Sequence, residues 1–239
     1  MASPELEKLL EVQEHDIALD QLRHRRATLP ARDELTAVEA KLAELATSLV
    51  DAQQRRDAVA RRQSDLEGEL RSLEARVVEI EGKMYGGTIS ASRELQAMAG
   101  EVESLKKRRS TLEDHILEAM DEREPIDAEV GQLEDAQVDA TDQADGLRSQ
   151  IIAAEAELGV DETRELDARA GLVATVPAPL LEQYERIRSR SGGIGAARLV
   201  GASCSGCHLS LPAVEVDRLK RAGPDEVILC DQCGRILVR

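Results

Sequence analysis

The chain of 239 residues contains no Phe, no Trp and two Tyr, which excludes a globule packed around aromatic side chains. Charged residues make up 33% of the sequence and the formal net charge is −16 at pH 7, a balance that is typical of long solvated helices and disfavours wholesale binding to phosphate backbones. No stretch approaches the roughly 18 apolar residues of a membrane span, and the charged start has no signal-peptide pattern. We therefore expect a cytoplasmic protein that does not enter a membrane.

Apolar residues recur at alternating spacings of three and four over two long segments, residues 35–84 and 95–158. A seven-residue repeat sustained this long keeps its apolar stripe facing a partner only if the helices supercoil. The sequence therefore predicts a mostly α fold, with a long antiparallel coiled-coil hairpin over residues 1–176. Pro30 and Pro125 are expected to kink the arms, because the proline ring blocks a helical hydrogen bond. Five polar side chains interrupt the stripe: Arg56, Gln63, Arg109, Arg123 and Gln137. The three arginines are expected to extend outward over apolar neighbours.

The segment between the two arms begins Tyr85-Gly-Gly and predicts a hairpin tip at about residues 85–91. Glycine permits the backbone angles of a tight turn, and Ser90 or Ser92 can cap the returning helix. Tyr85 and Ile89 would be exposed there and are candidate docking residues, although any helical hairpin needs such a turn. The symmetric arms favour pairing within one chain, but a seam of this length can also dimerise, so the sequence allows a monomer or a dimer.

A register in which Met84 faces Leu95 brings opposite charges together across the arms. Exposed pairs of this kind contribute only tenths of a kcal/mol each, so they set register more than stability. The basic group of the first arm then lies beside an acidic group of the second: Arg55, Arg56, Arg61 and Arg62 beside Glu118, Asp121, Glu122 and Glu124.

All four cysteines lie near the end of the chain, in the two pairs Cys204-Ser-Gly-Cys207 and Cys230-Asp-Gln-Cys233. Two cysteines three apart on a tight turn can direct both sulfurs at one ion, and two such turns complete a tetrahedral shell. We therefore predict a C4 zinc-ribbon domain over residues 177–239, led by a short helix from about Pro179 to Arg190. One structural Zn²⁺ would be held by Cys204, Cys207, Cys230 and Cys233, with Gly206 and Gly234 in the turns.

Other roles for the cysteines remain compatible with parts of this pattern. His208 directly follows Cys207 and can in principle replace a ligand, and an iron ion fits the same four-sulfur geometry. Thioredoxin-like redox chemistry expects one Cys-x-x-Cys at a helix start in an α/β fold, a setting that this sequence does not offer.

The sequence contains no common catalytic motif: His-Glu-x-x-His, Gly-x-Ser-x-Gly and Walker sequences are all absent. We therefore expect neither an enzyme nor a small-molecule substrate.

The chain resembles a bacterial family in which a coiled-coil hairpin precedes a C4-type zinc ribbon, and which includes a flagellar-regulation protein. The resemblance extends over essentially the whole chain. The segments that match most clearly are Tyr85-Gly-Gly, Glu94-Leu-Gln-Ala-Met98, Glu101-Val102, Cys204-Ser-Gly-Cys207-His208, Leu211-Pro212 and Cys230-Asp-Gln-Cys233-Gly234-Arg235-Ile236-Leu237. The resemblance implies zinc on the four cysteines and macromolecular interaction as the activity. Flagellar members of the family are linked to an alternative sigma factor and to messenger RNA, but no residue here identifies either partner.

Two main functions are compatible with this organisation. The first is a non-enzymatic adaptor in which the ribbon or the tip binds a protein partner. The second is a ribbon that binds RNA or DNA, although Tyr184 is the one aromatic residue there for base stacking. A zinc store or redox sensor is a third, more distant possibility. The basic residues that could contact nucleic acid or another partner are Arg186, Arg188, Arg190, Arg198, Arg218, Lys220 and Arg221.

Overall fold

The computed structural model of the protein describes residues 3–87, 91–224 and 226–239. The prediction of a mostly α fold with a coiled-coil hairpin and a small C-terminal ribbon is confirmed. Contacts divide the chain into two compact units, residues 34–146 and residues 1–33 together with 147–239. The elements in chain order are α1 (Pro4–Ala27), α2 (Pro30–Tyr85), α3 (Ser92–Val173), α4 (Ala178–Arg190), β1 (Ala196–Val200), β2 (Ser203–Cys204), α5 (Ala213–Arg221), β3 (Ile228–Leu229) and β4 (Ile236–Val238).

The unit formed by residues 34–146 consists of the paired parts of α2 and α3. Its buried side chains occupy the predicted heptad positions, which explains why the two helices form where they do. Among them are small residues, Ala52 and Ala119, whose side chains are fully buried. The buried set is Val38, Ala52, Val59, Leu73 and Ile80 on α2, and Val102, Leu112, Ala119, Val130, Ala140 and Ala144 on α3.

Ion pairs between the arms of this unit lie on both sides of the predicted register. Arg76 pairs with Glu101 and Arg108 with Glu69, each within two residues of the position that this register gives. Arg62 pairs with Glu122, as expected, but Arg55 reaches Glu129 at 2.7 Å. The guanidinium of Arg56 pairs with the neighbouring Asp57 on the same helix, at 3.2 Å.

The seam also contains a polar contact between the arms. Arg123 Nη1 donates a hydrogen bond to Gln63 Oε1 at 3.0 Å, and Arg123 Nε donates to Asp127 at 3.1 Å. Arg123 therefore bonds across the seam as well as extending outward. Pro125 lies inside α3, and the helix continues through it.

The tip of the hairpin lies between the end of α2 at Tyr85 and the start of α3 at Ser92. Tyr85 is 83% exposed, as predicted. The Gly86 N–H donates to the Gly82 carbonyl at 3.0 Å, and Gly87 adopts a φ of +72° that favours glycine. Ile89 and Ser90 lie outside the described residues.

In the second unit, α1 is a separate helix and not a kinked extension of α2. It ends at Ala27, where both the N–H and the hydroxyl of Thr28 donate to the His24 carbonyl at 2.9 Å. The next helix starts at Pro30, because proline fits the first helical position, where no N–H is needed. The expected kink near Pro30 is thus a break between two helices.

The ribbon sheet has the strand order β2-β1-β4-β3. β1 is antiparallel to β2 and parallel to β4, and β3 is antiparallel to β4. Alternating side chains of β1 and β4 give the sheet two buried faces. One face packs against α1 and α4 through Leu6, Leu9, Val12, Val176, Leu180, Tyr184, Ala196, Ile236 and Val238. The other packs against α5 and the cysteines through Ala197, Leu211, Val216, Leu219, Ile228 and Leu237.

The predicted leading helix of the ribbon corresponds to α4. The boundary predicted at residue 176 falls inside the unit that joins residues 1–33 to residues 147–239. The ribbon sheet therefore uses the first helix of the chain to cover one of its faces. Among the described residues, no helix has both the length and the apolar character needed to span a bilayer.

Candidate metal centre and its surroundings

The four cysteines converge from two similar turns, one after β2 and one between β3 and β4. The Sγ atoms of Cys204 and Cys233 are 3.9 Å apart, those of Cys207 and Cys230 are 4.0 Å apart, and all four lie within 4.8 Å of one another. A tetrahedral site with metal–sulfur bonds near 2.3 Å requires sulfur–sulfur distances of about 3.8 Å. The cysteines are free thiols, and their arrangement fits one metal ion with four sulfur ligands.

The two turns have the same backbone geometry. In the first, the His208 N–H donates to the Cys204 carbonyl at 2.8 Å; in the second, the Gly234 N–H donates to the Cys230 carbonyl at 2.7 Å. Both donors adopt positive φ angles, 60° for His208 and 70° for Gly234. His208 therefore occupies the position of Gly234 in the repeated turn, and the cluster of ligand atoms consists of the cysteines without it.

Gly206 is required by close packing inside the first turn. Its N–H lies 3.4 Å from Cys204 Sγ, where it donates a hydrogen bond to the sulfur. A Cβ at this position would come within 2.7 Å of Arg235 Cδ and 3.0 Å of Ala197 Cβ. The backbone can approach the sulfur and Arg235 together only without a side chain.

Arg235 connects both turns to the loop that precedes β1. Its guanidinium donates to three backbone carbonyls, Ser191 at 2.9 Å, Ile194 at 3.1 Å and Gly206 at 3.1 Å. Sequence reasoning did not identify this residue as part of the site. Its position directly after Cys233-Gly234, within the C-terminal segment that resembles the family, could have indicated that it belongs to the site.

The surroundings of the thiols shift their pKa values in opposite directions. Burial raises the pKa of Cys204 and raises that of Cys230 to about 12. Burial opposes ionisation of Cys233 too, but hydrogen bonds from the backbone and side chain of Arg235 outweigh it and lower the pKa of Cys233 to about 7. Because metal ligation requires thiolates, binding of an ion to these cysteines releases protons.

A buried carboxylate joins α1 to the helices that pack beside it. Asp16 is 2% exposed and accepts hydrogen bonds from the Tyr184 hydroxyl at 2.7 Å and from Arg169 Nε at 2.7 Å. Arg188 Nε lies 3.5 Å from the same carboxylate. Burial, followed by the hydrogen bond to Asp16, raises the pKa of Tyr184. Tyr184 is fully buried, so its ring is not available to stack on a base.

Several of the predicted contact residues are already paired within the ribbon unit. Arg188 donates to Asp20 at 2.7 Å, Arg198 pairs with Glu7 at 2.7 Å, and Arg221 pairs with Asp217 at 2.6 Å. The structure places the remaining members of the set on the exposed surface: Arg186, Arg190, Arg218 and Lys220.

The ribbon also exposes apolar side chains. Val200 at the end of β1 is 62% exposed, Leu209 in the first turn region is 52% exposed, and Val214 at the start of α5 is 83% exposed. Sequence reasoning did not single out these residues, because β1 and α5 are too short for a periodic pattern to separate exposed from buried positions.

Comparison with known proteins agrees with this architecture. Residues 12–192 match the CT398-like coiled coil hairpin domain, and residues 203–237 match the C4-type zinc ribbon domain. The uncharacterized protein Rv2229c of Mycobacterium tuberculosis is 30% identical over 240 residues, an alignment that covers 97% of this chain and 94% of the relative.

Solved structures share the fold. A protein of Mycobacterium smegmatis matches with a TM-score of 0.85 and 26% identity, over 98% of this chain and 97% of that one. CT398 from Chlamydia trachomatis matches with a TM-score of 0.67 and 19% identity, over 98% and 96% of the two chains. The two domain matches, together with the four-cysteine cluster, show that the chain belongs to the family of CT398-like coiled-coil hairpin proteins that carry a C4-type zinc ribbon.

Proposed function

We propose that the protein is a non-enzymatic cytoplasmic adaptor, in which a coiled-coil hairpin carries a zinc ribbon that docks onto a protein partner. The proposal is based on the contrast between paired cations and exposed apolar side chains on the ribbon surface. Three of the seven candidate cations form ion pairs with carboxylates of the same unit, whereas Val200, Leu209 and Val214 expose apolar surface. Exposed apolar side chains favour a protein interface, because their burial there is the main source of binding free energy.

The metal in this proposal is one structural Zn²⁺. Four thiolates fill a tetrahedral shell and leave no open position for a substrate or an activated water. The ion would hold together the two turns and the face of the sheet that packs on α5, where no large aromatic side chain contributes to the core. Its contribution is to folding, and the residues around it supply the binding surface.

Binding of RNA or DNA is the alternative function. Arg186 and Arg190 are exposed and lie four residues apart on α4, hence on one face of that helix. Arg218 and Lys220 are exposed on α5. These four cations could contact phosphates, and such binding would weaken steeply with added salt.

The two functions are distinguished by a pull-down with zinc-loaded full-length protein, with and without nuclease, reading both protein and nucleic acid. Leu209→Asp and Val214→Asp test the apolar surface, and Val78→Asp on α2, where the wild-type side chain is 69% exposed, is the matched control. Arg186→Glu combined with Arg190→Glu tests the basic surface.

The adaptor proposal expects protein partners that survive nuclease, are retained by Val78→Asp and are lost with Leu209→Asp or Val214→Asp. Partners lost equally with all three apolar variants would contradict it. Enrichment of RNA or DNA that disappears with the paired arginine variant and at high salt would favour the alternative.

A further inference from the structure

A cleft of about 510 Å³ lies between the second half of α1 and the loop that joins α4 to β1. Its volume is in the range of ordinary ligand sites, about 300–1,000 Å³. Ile17 and Ile194 supply its apolar lining, and Asp20, Gln21, His24 and Arg25 line the α1 side. The cleft is separate from the four thiols and from the exposed apolar residues of the ribbon.

The loop wall of the cleft is held in place by the backbone. Gly192 and Gly193 adopt positive φ angles of 66° and 87°, and the Gly193 N–H donates to the Arg188 carbonyl at 3.1 Å. Arg235 donates to the carbonyls on both sides of this glycine pair, those of Ser191 and Ile194. The cleft is therefore preformed, and its wall is connected to the cysteine turn that contains Gly234 and Arg235.

The two glycines also keep the cleft open. A Cβ on Gly193 would come within 3.1 Å of Asp20 Oδ2, and the space next to Gly192 is empty. Side chains at these positions would narrow the mouth between the loop and α1. The cleft thus provides a backbone-lined entrance to the half-buried side chains of Ile17 and Ile194.

On the α1 side of the cleft, positive charge exceeds negative charge. Arg23 and Arg26 both pair with Glu162, and the carboxylate of Asp20 is engaged by Arg188 at 2.7 Å and by Arg23 at 3.2 Å. Within the described ranges, no carboxylate lies within ion-pair distance of Arg25, although Asp+Glu exceed Lys+Arg by 47 to 31 in the whole chain. The cleft therefore offers an unpaired guanidinium next to an apolar lining.

We infer that this cleft binds a peptide segment in which a branched apolar side chain is flanked by carboxylates. The apolar side chain would contact Ile17 and Ile194, and a flanking carboxylate would pair with Arg25. A nucleobase is a poorer occupant, because no aromatic side chain lines the cleft for stacking. That the occupant is a peptide rests on the proposed adaptor function.

The test uses zinc-loaded full-length protein with ¹³C-labelled isoleucine methyl groups and three blocked peptides, acetyl-Glu-Leu-Glu-amide and its Gln-Leu-Gln and Lys-Leu-Lys counterparts. We expect the acidic peptide to shift the Ile17 and Ile194 methyl signals and to leave that of Ile80, in the other unit, unchanged. The Gln peptide should bind about twofold to fivefold more weakly, the range of an exposed ion pair, and the Lys peptide more weakly still.

Arg25→Gln should abolish the preference for the acidic peptide, and Arg71→Gln on α2 should preserve it. Equal binding of the three peptides, no change at Ile17 and Ile194, or an unaltered preference in Arg25→Gln would overturn the assignment. If a partner is captured through Leu209 and Val214 while the peptides leave these methyl signals unchanged, the cleft assignment fails and the adaptor function stands. If the acidic peptide binds the cleft but no partner depends on Leu209 and Val214, the cleft assignment stands and the proposed adaptor function fails.

Discussion

Arg235 Nη1 donates a hydrogen bond to the Gly206 carbonyl at 3.1 Å, so a side chain next to the second cysteine turn is bonded to the backbone of the first. The other donors of the same guanidinium reach Ser191 and Ile194. One side chain therefore connects the metal-binding turns to the loop beside α1. The geometry of the four thiols depends on a residue that is not itself a ligand.

Replacement of Arg235 by alanine should destabilise the ribbon by about 2–3 kcal/mol, because three carbonyls lose a charged donor. Zinc should also be lost more readily to a competing chelator. Both effects can be measured by chelator competition and thermal unfolding. Arg190→Ala, which removes an exposed cation from α4, is the matched control and should change neither quantity. Equal zinc retention in the two variants would rule out this role for Arg235.

Removal of the metal should unfold the ribbon while the coiled coil of residues 34–146 persists. The helical signal in circular dichroism should change little, because α2 and α3 contain 56 and 82 residues and α5 contains 9. Hydrogen exchange should instead show lost protection in β1, β4 and α5, whose cluster includes the cysteines. Cys233→Ser should reproduce this pattern without chelator. Continued protection of these elements after chelation would contradict a structural role for the ion.

The elements that the sequence predicted well are those specified by local spacing. The heptad positions identified the buried seam of α2 and α3, and the spacing Cys204–Cys207 and Cys230–Cys233 identified the cluster. The packing of α1 was not predictable in this way, because Leu6, Leu9 and Val12 form an apolar stripe that fits a coiled coil and a sheet equally well. α5 was missed because a helix of nine residues shows little more than two periods of any pattern.

The buried ionic contacts were also beyond sequence reasoning. Asp16 and Tyr184 are 168 positions apart, and nothing in either local pattern indicates that they meet. Asp16 lies in a polar stretch of α1, between Glu14 and Asp20, where one more carboxylate resembles an ordinary solvated residue. Its role depends on tertiary contacts that bring Arg169 and Tyr184 to it.

Asp16→Asn should destabilise the unit that contains the ribbon by about 2–3 kcal/mol, because Arg169 and Arg188 lose their buried counter-ion and keep only the partly exposed carboxylates of Glu185 and Asp20. Tyr184→Phe removes one hydrogen bond and keeps the carboxylate, so it should cost only about 1 kcal/mol. Urea unfolding of both variants, followed by hydrogen exchange in α1 and α4, measures the difference. Equal losses in the two variants would show that the ion pairs contribute little.

Gly195→Ala and Gly171→Ala should change stability in opposite directions. A Cβ at Gly195 would lie 2.6 Å from the Tyr184 ring and 2.9 Å from its carbonyl oxygen. Since Tyr184 is fully buried, the ring cannot move aside without disturbing the core around Asp16, and such overpacking costs about 1–3 kcal/mol. Gly171 lies in α3 with open space beside it, so alanine there should add about 0.5–1 kcal/mol.

The midpoint of thermal unfolding should therefore fall for Gly195→Ala and rise for Gly171→Ala. A neutral Gly195→Ala would mean that Tyr184 is held less tightly between Asp16 and β1 than its contacts indicate. The comparison is informative because both substitutions add the same methyl group. Any difference in sign arises from the surroundings of the two glycines: a buried ring bonded to a carboxylate in one case, and solvent beside a helix in the other.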